Sequence, residues 1–137
     1  MKFYIASKLR NYEQVQRLAR LLTLLGWEHT YDWTALCSIK EIDVKTLKSI
    51  GQKEFDGVKN ADVVIVLTPQ GTGTHVELGM AIALNKIVYI CHEDDTYFQC
   101  GDSTCAFYWL SNVRHFVGSI EELAKKIRAD CHPPLRI

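Results

Sequence analysis

The sequence lacks an excess of charge of either sign, because sixteen lysine and arginine residues balance sixteen aspartate and glutamate residues. A chain without a net field has no general attraction to nucleic acid or to an anionic membrane. The sequence also lacks any apolar run of the roughly 20 residues needed to span a bilayer. We therefore expect neither nucleic acid nor a membrane as a partner, and any bound anion must be held by local groups.

The sequence also lacks a compact disulfide framework, because its five cysteines are odd in number and have no compact spacing. The start of the chain, Met1 to Ile5, lacks the layout of a secretory signal peptide. Both absences predict a reducing, cytoplasmic setting. The alternative is a metal site built from Cys91, His92, Cys100 and Cys105, but these residues lack the close paired spacing of zinc motifs. We expect no metal and no other cofactor.

The length of 137 residues suits one domain, which we expect to cover residues 1–137 with a tail from about residue 130. Apolar runs predict strands at 3–6, 27–31, 63–67, 87–91 and 113–117. The predicted helices begin at a capping pair of Asn11 and Gln14, at Glu41, near Val76 and at Ser119, and Gly51 bends or interrupts the second. This alternation predicts an α/β fold, a flavodoxin-like (Rossmann-like) doubly wound parallel sheet of order 2-1-3-4-5 with helices on both faces.

The stretch from Asp62 to Lys86 carries the richest chemistry. Its apolar run predicts a strand buried on both faces. A loop follows that consists of Gly71, Thr72, Gly73 and Thr74, and Glu77 then falls in the first turn of the predicted helix. Glycine N–H groups beside a helix N-terminus favour an anion. A tight turn that needs glycine for its geometry alone explains the pattern equally well.

In a sheet of this order, ligands bind where the strand order reverses, here between the first and third strands. Residues 4–10 would line one side of that crevice and residues 68–77 the other. Glu77 is then either a partly buried carboxylate suited to attack a sugar carbon, or a water-facing glutamate favoured by the helix dipole. Lys8 and Arg10 either hold a 5'-phosphate or belong to a solvated loop.

Other side chains also leave two interpretations open. His75 contacts substrate or lies on the surface. Trp33 and Tyr31 stack on a base or close the end of the core. A further group forms an aromatic region that is a lid, a subunit contact or part of the core, and its members are Tyr97, Phe98, Phe107, Tyr108 and Trp109.

Two segments resemble a known family. They are Ala61-Asp62-Val63-Val64-Ile65-Val66 followed by Gly73-Thr74-His75-Val76-Glu77-Leu78-Gly79 and Ala81, and Tyr4-Ile5-Ala6-Ser7 with Arg10. These segments are similar to the signature and to the first strand and loop of the nucleoside 2-deoxyribosyltransferase family, which includes the 2'-deoxynucleoside 5'-phosphate N-hydrolases. The resemblance implies a flavodoxin-like enzyme that cleaves or transfers N-glycosidic bonds of nucleosides or nucleotides through a covalent glycosyl-enzyme.

The same resemblance implies roles for individual residues. Glu77 would be the nucleophile, and Tyr4 would hold it by a hydrogen bond. Glu54 takes the place of the family's aspartate that helps to protonate the departing base, with Asp56 as the alternative. Gly71 stands where the family has Asp or Ser in contact with the sugar or its phosphate. The substrate-binding residues are expected among Ser7, Lys8, Arg10, Gly71, Thr72, Gly73 and Thr74. The family also implies a homo-oligomer whose subunits share an active site.

A second resemblance covers the same loop. The segment Pro69-Gln70-Gly71-Thr72-Gly73-Thr74 with Glu77 is similar to the Pro-Gly-Gly-x-Gly-Thr-x-x-Glu box of phosphoribohydrolases, which release adenine-type bases from nucleoside monophosphates. Gln70 departs from the first glycine of that box. A rival from another class is a non-catalytic nucleotide-binding or sensor module, which is favoured by Glu54 and Gly71 at positions where the family uses other residues.

Overall fold

The computed structural model describes residues 1–38 and 42–131. The described strands are β1 (Lys2–Ala6), β2 (Glu28–His29), β3 (Val63–Leu67), β4 (Ile87–His92) and β5 (Val113–Val117). They pair in parallel in the order β2-β1-β3-β4-β5. The described α-helices are α1 (Tyr12–Leu24), α2 (Val44–Asn60), α3 (Thr72–Ala83) and α4 (Ile120–Cys131). The predicted fold class and strand order are confirmed.

The helices cover the sheet in two pairs, since α1 packs against α4 and α2 packs against α3. Every residue of β3 is buried, as expected of a parallel strand that has helices on both of its faces. The core is formed by the apolar side chains of β1, β3 and β4 together with the inward faces of the helices. The strand order runs outward from β1 to β2 on one side and from β3 to β5 on the other, so it reverses between β1 and β3.

Three local predictions are wrong. Asn11 does not cap α1 with its side chain, because its Nδ2 donates to Ser7 Oγ at 2.9 Å and to Thr68 O at 3.4 Å. Gly51 does not interrupt α2, which runs without a break across it. The glycine and threonine loop is shorter than predicted, because α3 already begins at Thr72. Glu77 therefore lies in the second turn of α3 rather than in the first.

Other boundaries differ by smaller amounts. The strand predicted at 27–31 is reduced to Glu28–His29, and the irregular stretch after it contains a 3₁₀ helix, Trp33–Ser38. Helix α4 continues to Cys131, past the predicted start of the tail. Positions 39–41 and 132–137 of these predictions lie outside the described residues.

Two helix N-termini show how the sequence sets these boundaries. Ser119 Oγ accepts a hydrogen bond from Glu122 N at 3.1 Å, which confirms the predicted cap of α4. Asp43, a residue that the sequence reasoning missed, caps α2 by accepting from Thr46 N at 2.7 Å. Among the described helices, none combines the length and the apolar character that crossing a membrane requires.

Candidate active site

A pocket of about 200 Å³ opens at the carboxyl end of β1, where the strand order reverses. Its walls come from the loop after β1, the 3₁₀ helix Trp33–Ser38, helix α2 and the start of α3. The lining residues are Ser7, Lys8, Leu9, Trp33, Leu36, Glu54, Gly71, Gly73, Thr74 and Glu77. Most of the site residues named from the sequence are therefore brought together here.

Tyr4 and Glu77 meet at the inner end of this pocket. Tyr4 is wholly buried in β1, and its hydroxyl donates a hydrogen bond to Glu77 Oε2 on α3. Glu77 is itself only 8% exposed. Burial raises the pKa of Glu77 to about 8, and the hydrogen bond from Tyr4 opposes that rise. A carboxylate held in this way has the fixed position that attack on an electrophilic carbon requires.

Glu54 supplies a second carboxyl to the same pocket, from helix α2. It is half-buried, and burial raises its pKa. The charge of Glu54 in turn raises the pKa values of Glu77 and Tyr4, so the three groups form one electrostatic cluster. Two carboxyls in different surroundings can divide the roles of nucleophile and proton donor.

Side-chain hydrogen bonds hold the backbone around the pocket. Ser7 Oγ donates to Leu67 O at 2.6 Å and accepts from Asn11 Nδ2 at 2.9 Å. Its hydroxyl proton is therefore already used in a hydrogen bond within the protein. Gly71 N donates to Thr74 Oγ1 at 3.0 Å, which closes the N-terminus of α3. Ser7 and Thr74 therefore shape the pocket through contacts within the protein.

Lys8 lies exposed at the pocket edge beside the start of α3. A Cβ placed on Gly71 would come within 3.5 Å of Lys8 Cγ, so the lysine stem passes over this glycine. Gly73 is exposed on the same side of the pocket. A lysine beside the free N–H groups of a helix N-terminus is an arrangement that suits a phosphate or a carboxylate.

Four of the site residues named from the sequence do not line this pocket, and one of them, Tyr4, still reaches it through its hydrogen bond to Glu77. Arg10 is exposed in the short 3₁₀ turn that follows the loop. Thr72 is exposed as the first residue of α3. Asp56, which is partly buried on α2, accepts a hydrogen bond from Gln52 Nε2 at 3.0 Å. The pocket thus presents Glu54 as its second carboxyl, and not Asp56.

The lining also includes apolar side chains. Trp33 is 5% exposed, and its Nε1 donates to Ile5 O at 2.6 Å, so the indole is anchored in the core with part of its surface on the pocket. Leu9 and Leu36 complete this wall. Leu9 falls within residues 4–10, which were predicted to line the crevice, whereas sequence reasoning missed Leu36. No motif surrounds Leu36 that could have indicated its place.

The aromatic region contacts the segment that enters α3. Tyr108 is 1% exposed, and its hydroxyl is hydrogen-bonded to Gln70 Nε2 and, at 2.8 Å, to His75 Nε2. Burial raises the pKa of Tyr108 to about 12. Phe107 and Trp109 on either side are exposed. Tyr108 therefore belongs to the core of this region, and Gln70 and His75 are engaged with it outside the pocket lining.

A separate cavity of about 300 Å³ is lined by α1, α4 and the segments that follow β3 and β4. At its edge lie His92 and Glu93, which with Asp94 have potential metal-ligand atoms within 4.8 Å of one another. Among the described residues, no cysteine joins this group, and Cys91 is buried. The cavity contains neither Glu54 nor Glu77, so the candidate active site is the smaller pocket.

Comparison with known proteins gives one family and several similar folds. A family model described as nucleoside 2-deoxyribosyltransferase matches residues 3–129. A solved CMP N-glycosidase from Clostridium botulinum is similar with a TM-score of 0.59 and 21% identity, over 93% of this chain and 98% of that chain. A 2-deoxyribosyltransferase from Bacillus psychrosaccharolyticus is similar with a TM-score of 0.62 and 17% identity, over 90% of each chain.

A conserved protein from Enterococcus faecalis also has a similar structure, with a TM-score of 0.55 and 17% identity, over 95% of this chain and 98% of that chain. No curated protein matches the chain. At identities this low, the solved structures establish a shared fold. The match to the family model begins at the second residue of β1, extends through the other described strands and includes both carboxyls of the pocket.

Proposed function

This chain belongs to the nucleoside 2-deoxyribosyltransferase family, and we propose that it cleaves or transfers at the N-glycosidic bond of a nucleoside or nucleoside 5'-monophosphate through a covalent glycosyl-enzyme on Glu77. The observation that carries the proposal is the buried Glu77 carboxyl, held by Tyr4 in a pocket where the strand order reverses. Two similar structures carry names of the same reaction class, a CMP N-glycosidase and a 2-deoxyribosyltransferase.

In the first step, Glu77 attacks the anomeric carbon of the sugar while the bond from that carbon to the base nitrogen breaks. The hydrogen bond from Tyr4 to Oε2 leaves Oε1 for this attack. The electron pair of the broken bond leaves with the base, which takes a proton from the Glu54 carboxyl. Because burial raises the pKa of Glu54, this group keeps its proton to a higher pH than a solvated glutamate does.

In the second step, water or a second base attacks the anomeric carbon, and the bond to Glu77 breaks. The Glu77 carboxylate is restored, and the ionised Glu54 takes the proton that the incoming nucleophile releases. Two successive inversions give net retention of configuration. Water as the acceptor makes the reaction a hydrolysis, and a second base makes it a transfer.

Substrate contacts follow from the lining. Lys8 and the N-terminus of α3 would hold a 5'-phosphate, with Gly71, Gly73 and Thr74 along the sugar. Ser7 would act mainly by shaping the wall, since its hydroxyl is bonded within the protein. Arg10 and Thr72 lie outside the lining and would reach only a ligand that extends past the pocket edge.

We further propose that the chain forms one domain over residues 1–137 and acts in the cytoplasm as a homo-oligomer whose neighbouring subunit completes the pocket. Helices α2 and α3 expose apolar side chains that a second copy would cover, and these include Val44, Leu47, Phe55 and Val76. Size measurement in solution tests the assembly. A strictly monomeric protein that is fully active would contradict a shared site.

Incubation with a panel of nucleosides and 5'-monophosphates, followed by chromatography of the free bases, tests the proposed reaction. We expect release of base from at least one substrate by the wild type. The near-isosteric variant Glu77→Gln is expected to lose at least roughly 10³-fold in rate, because the amide is not a nucleophile. Absence of release by the wild type, or equal release by the variant, contradicts the proposal.

A non-catalytic nucleotide-binding or sensor module is the second candidate. It is favoured by the pKa of about 8, which leaves most of the Glu77 carboxyl protonated at neutral pH, and by Glu54 in place of the family's aspartate. Stabilisation by a nucleotide in a thermal-shift assay, without any release of base, would support it. Within the proposed reaction class, release from ribonucleoside monophosphates alone would favour the phosphoribohydrolase-like alternative.

A further inference from the structure

Gly57 lies very close to the ring of Tyr4, whose hydroxyl is hydrogen-bonded to Glu77. It lies on α2, one turn after Glu54. A Cβ placed on Gly57 would lie 2.9 Å from both Cδ2 and Cε2 of Tyr4, and 3.0 Å from Cβ of Tyr31. Carbon atoms in contact are ordinarily about 3.5–4.0 Å apart. Of the twenty side chains, only that of glycine lets α2 and the Tyr4 ring occupy their present positions together.

Neither helix α2, which carries Gly57, nor strand β1, which carries Tyr4, can easily move away from the other. Tyr4 is wholly buried, and its strand β1 is paired on both sides, with Tyr4 opposite Val64 of β3. The carbonyl of Gly57 accepts a hydrogen bond from Thr30 Oγ1 at 2.7 Å, while Thr30 N donates to Phe3 O at 3.0 Å. Thr30 thus ties α2 to the β1 residue next to Tyr4. An added methyl group would therefore act on the ring itself.

We propose that Gly57 is a positioning residue of this active site, because the absence of a side chain there determines where the Tyr4 hydroxyl meets Glu77. Gly57 touches no reacting atom, and it acts only through the tyrosine ring. The hydroxyl stands at the far end of that ring from the Cβ attachment, so a small rotation about χ1, which swings the whole ring, displaces it strongly. An effect of Gly57 on catalysis rests on the proposed role of Glu77, whereas the effect of Gly57 on the hydrogen bond between Tyr4 and Glu77 does not depend on any ligand.

The expected consequence of Gly57→Ala is a weaker hydrogen bond from Tyr4 to Glu77. Since that bond stabilises the ionised carboxyl, its loss should lower the acid dissociation constant of Glu77 about tenfold. Tyr4→Phe, which deletes the hydroxyl, should have the same effect. The matched control is Gly51→Ala, because Gly51 lies in the same helix, gains the same helix propensity and has nothing within 4 Å of an added Cβ.

The measurement is a pH titration of the carboxyl carbons of ¹³C-labelled glutamate by NMR, with the Glu77 signal assigned by its loss in Glu77→Gln. We expect a higher pKa of Glu77 in Gly57→Ala and in Tyr4→Phe, and the wild-type value in Gly51→Ala. The double variant Gly57→Ala/Tyr4→Phe should match Tyr4→Phe alone. An unchanged titration of Glu77 in Gly57→Ala, or an equal shift in Gly51→Ala, would overturn the inference. The experiment needs no substrate, so its outcome is independent of whether base release is observed.

Folding of the variant is tested separately. Tyr4→Val removes both ring atoms that the new Cβ would meet, so Gly57→Ala should lower the thermal midpoint much less in the Tyr4→Val background than in the wild type. The contact with Tyr31 remains in both backgrounds and accounts for a residual loss. If Gly57→Ala lowers the midpoint equally with and without the ring, the requirement for glycine does not come from Tyr4, and the inference fails.

Discussion

The hydroxyl of Tyr4 donates a hydrogen bond to Glu77 Oε2 across 73 positions of sequence, and both side chains are buried. A donor of this kind stabilises the ionised carboxyl more than the neutral one. Burial has the opposite effect and is the larger influence, so the pKa of Glu77 lies at about 8. The protonation state of the proposed nucleophile therefore depends on the tyrosine.

The dependence of kcat/KM on pH should show this balance. Because attack requires ionised Glu77 and base departure requires protonated Glu54, kcat/KM of the wild type should rise with pH as Glu77 ionises and fall as Glu54 loses its proton. Tyr4→Phe should move that rise to higher pH, by roughly one pH unit, since the stabilising donor is lost. Tyr12→Phe is a suitable control, because the hydrogen bond that Tyr12 donates to Glu13 is exposed to solvent and Tyr12 does not line the pocket. A rise at the same pH in Tyr4→Phe would contradict the assigned role.

Stability should depend on pH through the same carboxyl. The folded protein holds the Glu77 proton more tightly than the unfolded chain, whose pKa is near 4.5. The stabilisation from this group is therefore complete below about pH 4.5 and is lost as pH rises through about 8. Glu77→Gln does not ionise, so its advantage over the wild type in the free energy of unfolding should grow across that window to on the order of 5 kcal/mol.

Denaturant unfolding of both proteins at several pH values measures this difference. A gap between Glu77→Gln and the wild type that stays constant from pH 5 to pH 9 would show that burial of the ionised carboxyl is not what separates them. The two readouts together distinguish a nucleophile from a buried structural acid, because only a nucleophile also loses activity in Glu77→Gln.

Glu54 and Asp56 can be separated by a matched pair of variants. Glu54→Gln keeps the size of the side chain but removes the proton, so base release should fall by about 10²–10⁴-fold. Asp56→Asn should remain close to the wild type, because Asp56 bonds to Gln52 and does not line the pocket. A substrate whose base leaves easily without protonation should reduce the loss in Glu54→Gln. A larger loss in Asp56→Asn than in Glu54→Gln would reverse the assignment.

Lys8 should distinguish 5'-monophosphates from nucleosides. Lys8→Met retains most of the apolar stem and removes the charge, so KM for a monophosphate should rise about tenfold while KM for the nucleoside stays nearly unchanged. Arg10→Met is the matched control, because Arg10 is exposed and lies outside the lining. Equal effects of Lys8→Met on both kinds of substrate would show that the lysine does not bind the phosphate.

Sequence reasoning worked best where local chemistry determines structure. The apolar run of β3 and the serine cap of α4 follow from residues close together in the chain, and both were predicted. The cap at Asn11 was mispredicted, because its amide donates to Ser7 Oγ and to Thr68 O, and only the fold brings Thr68, 57 positions away, beside it. A break at Gly51 was also mispredicted, since one exposed helical glycine costs only about 1 kcal/mol, which packing of the rest of the helix offsets.

The candidate site shows the same division. The resemblance directed attention to Tyr4, Glu54 and Glu77, and the fold brings them into one cluster. Leu36 and Gly57 were missed, because their importance depends on what lies opposite them in the folded protein. A glycine in a helical pattern marks a position where glycine can be required, but it does not indicate that the neighbour is a tyrosine ring.

The early start of α3 bears on the length of the ligand. The N–H groups of the first turn have no intrahelical acceptor, while Glu77 lies one turn further along the helix. The backbone therefore advances by about one helical pitch, roughly 5.4 Å, between the first-turn N–H groups and Glu77. An isolated phosphate or a bare sugar would reach only one of these two positions. We expect a molecule that carries both an anionic group and a sugar to gain from the two contacts together, so that the register of this one helix favours substrates of matching length.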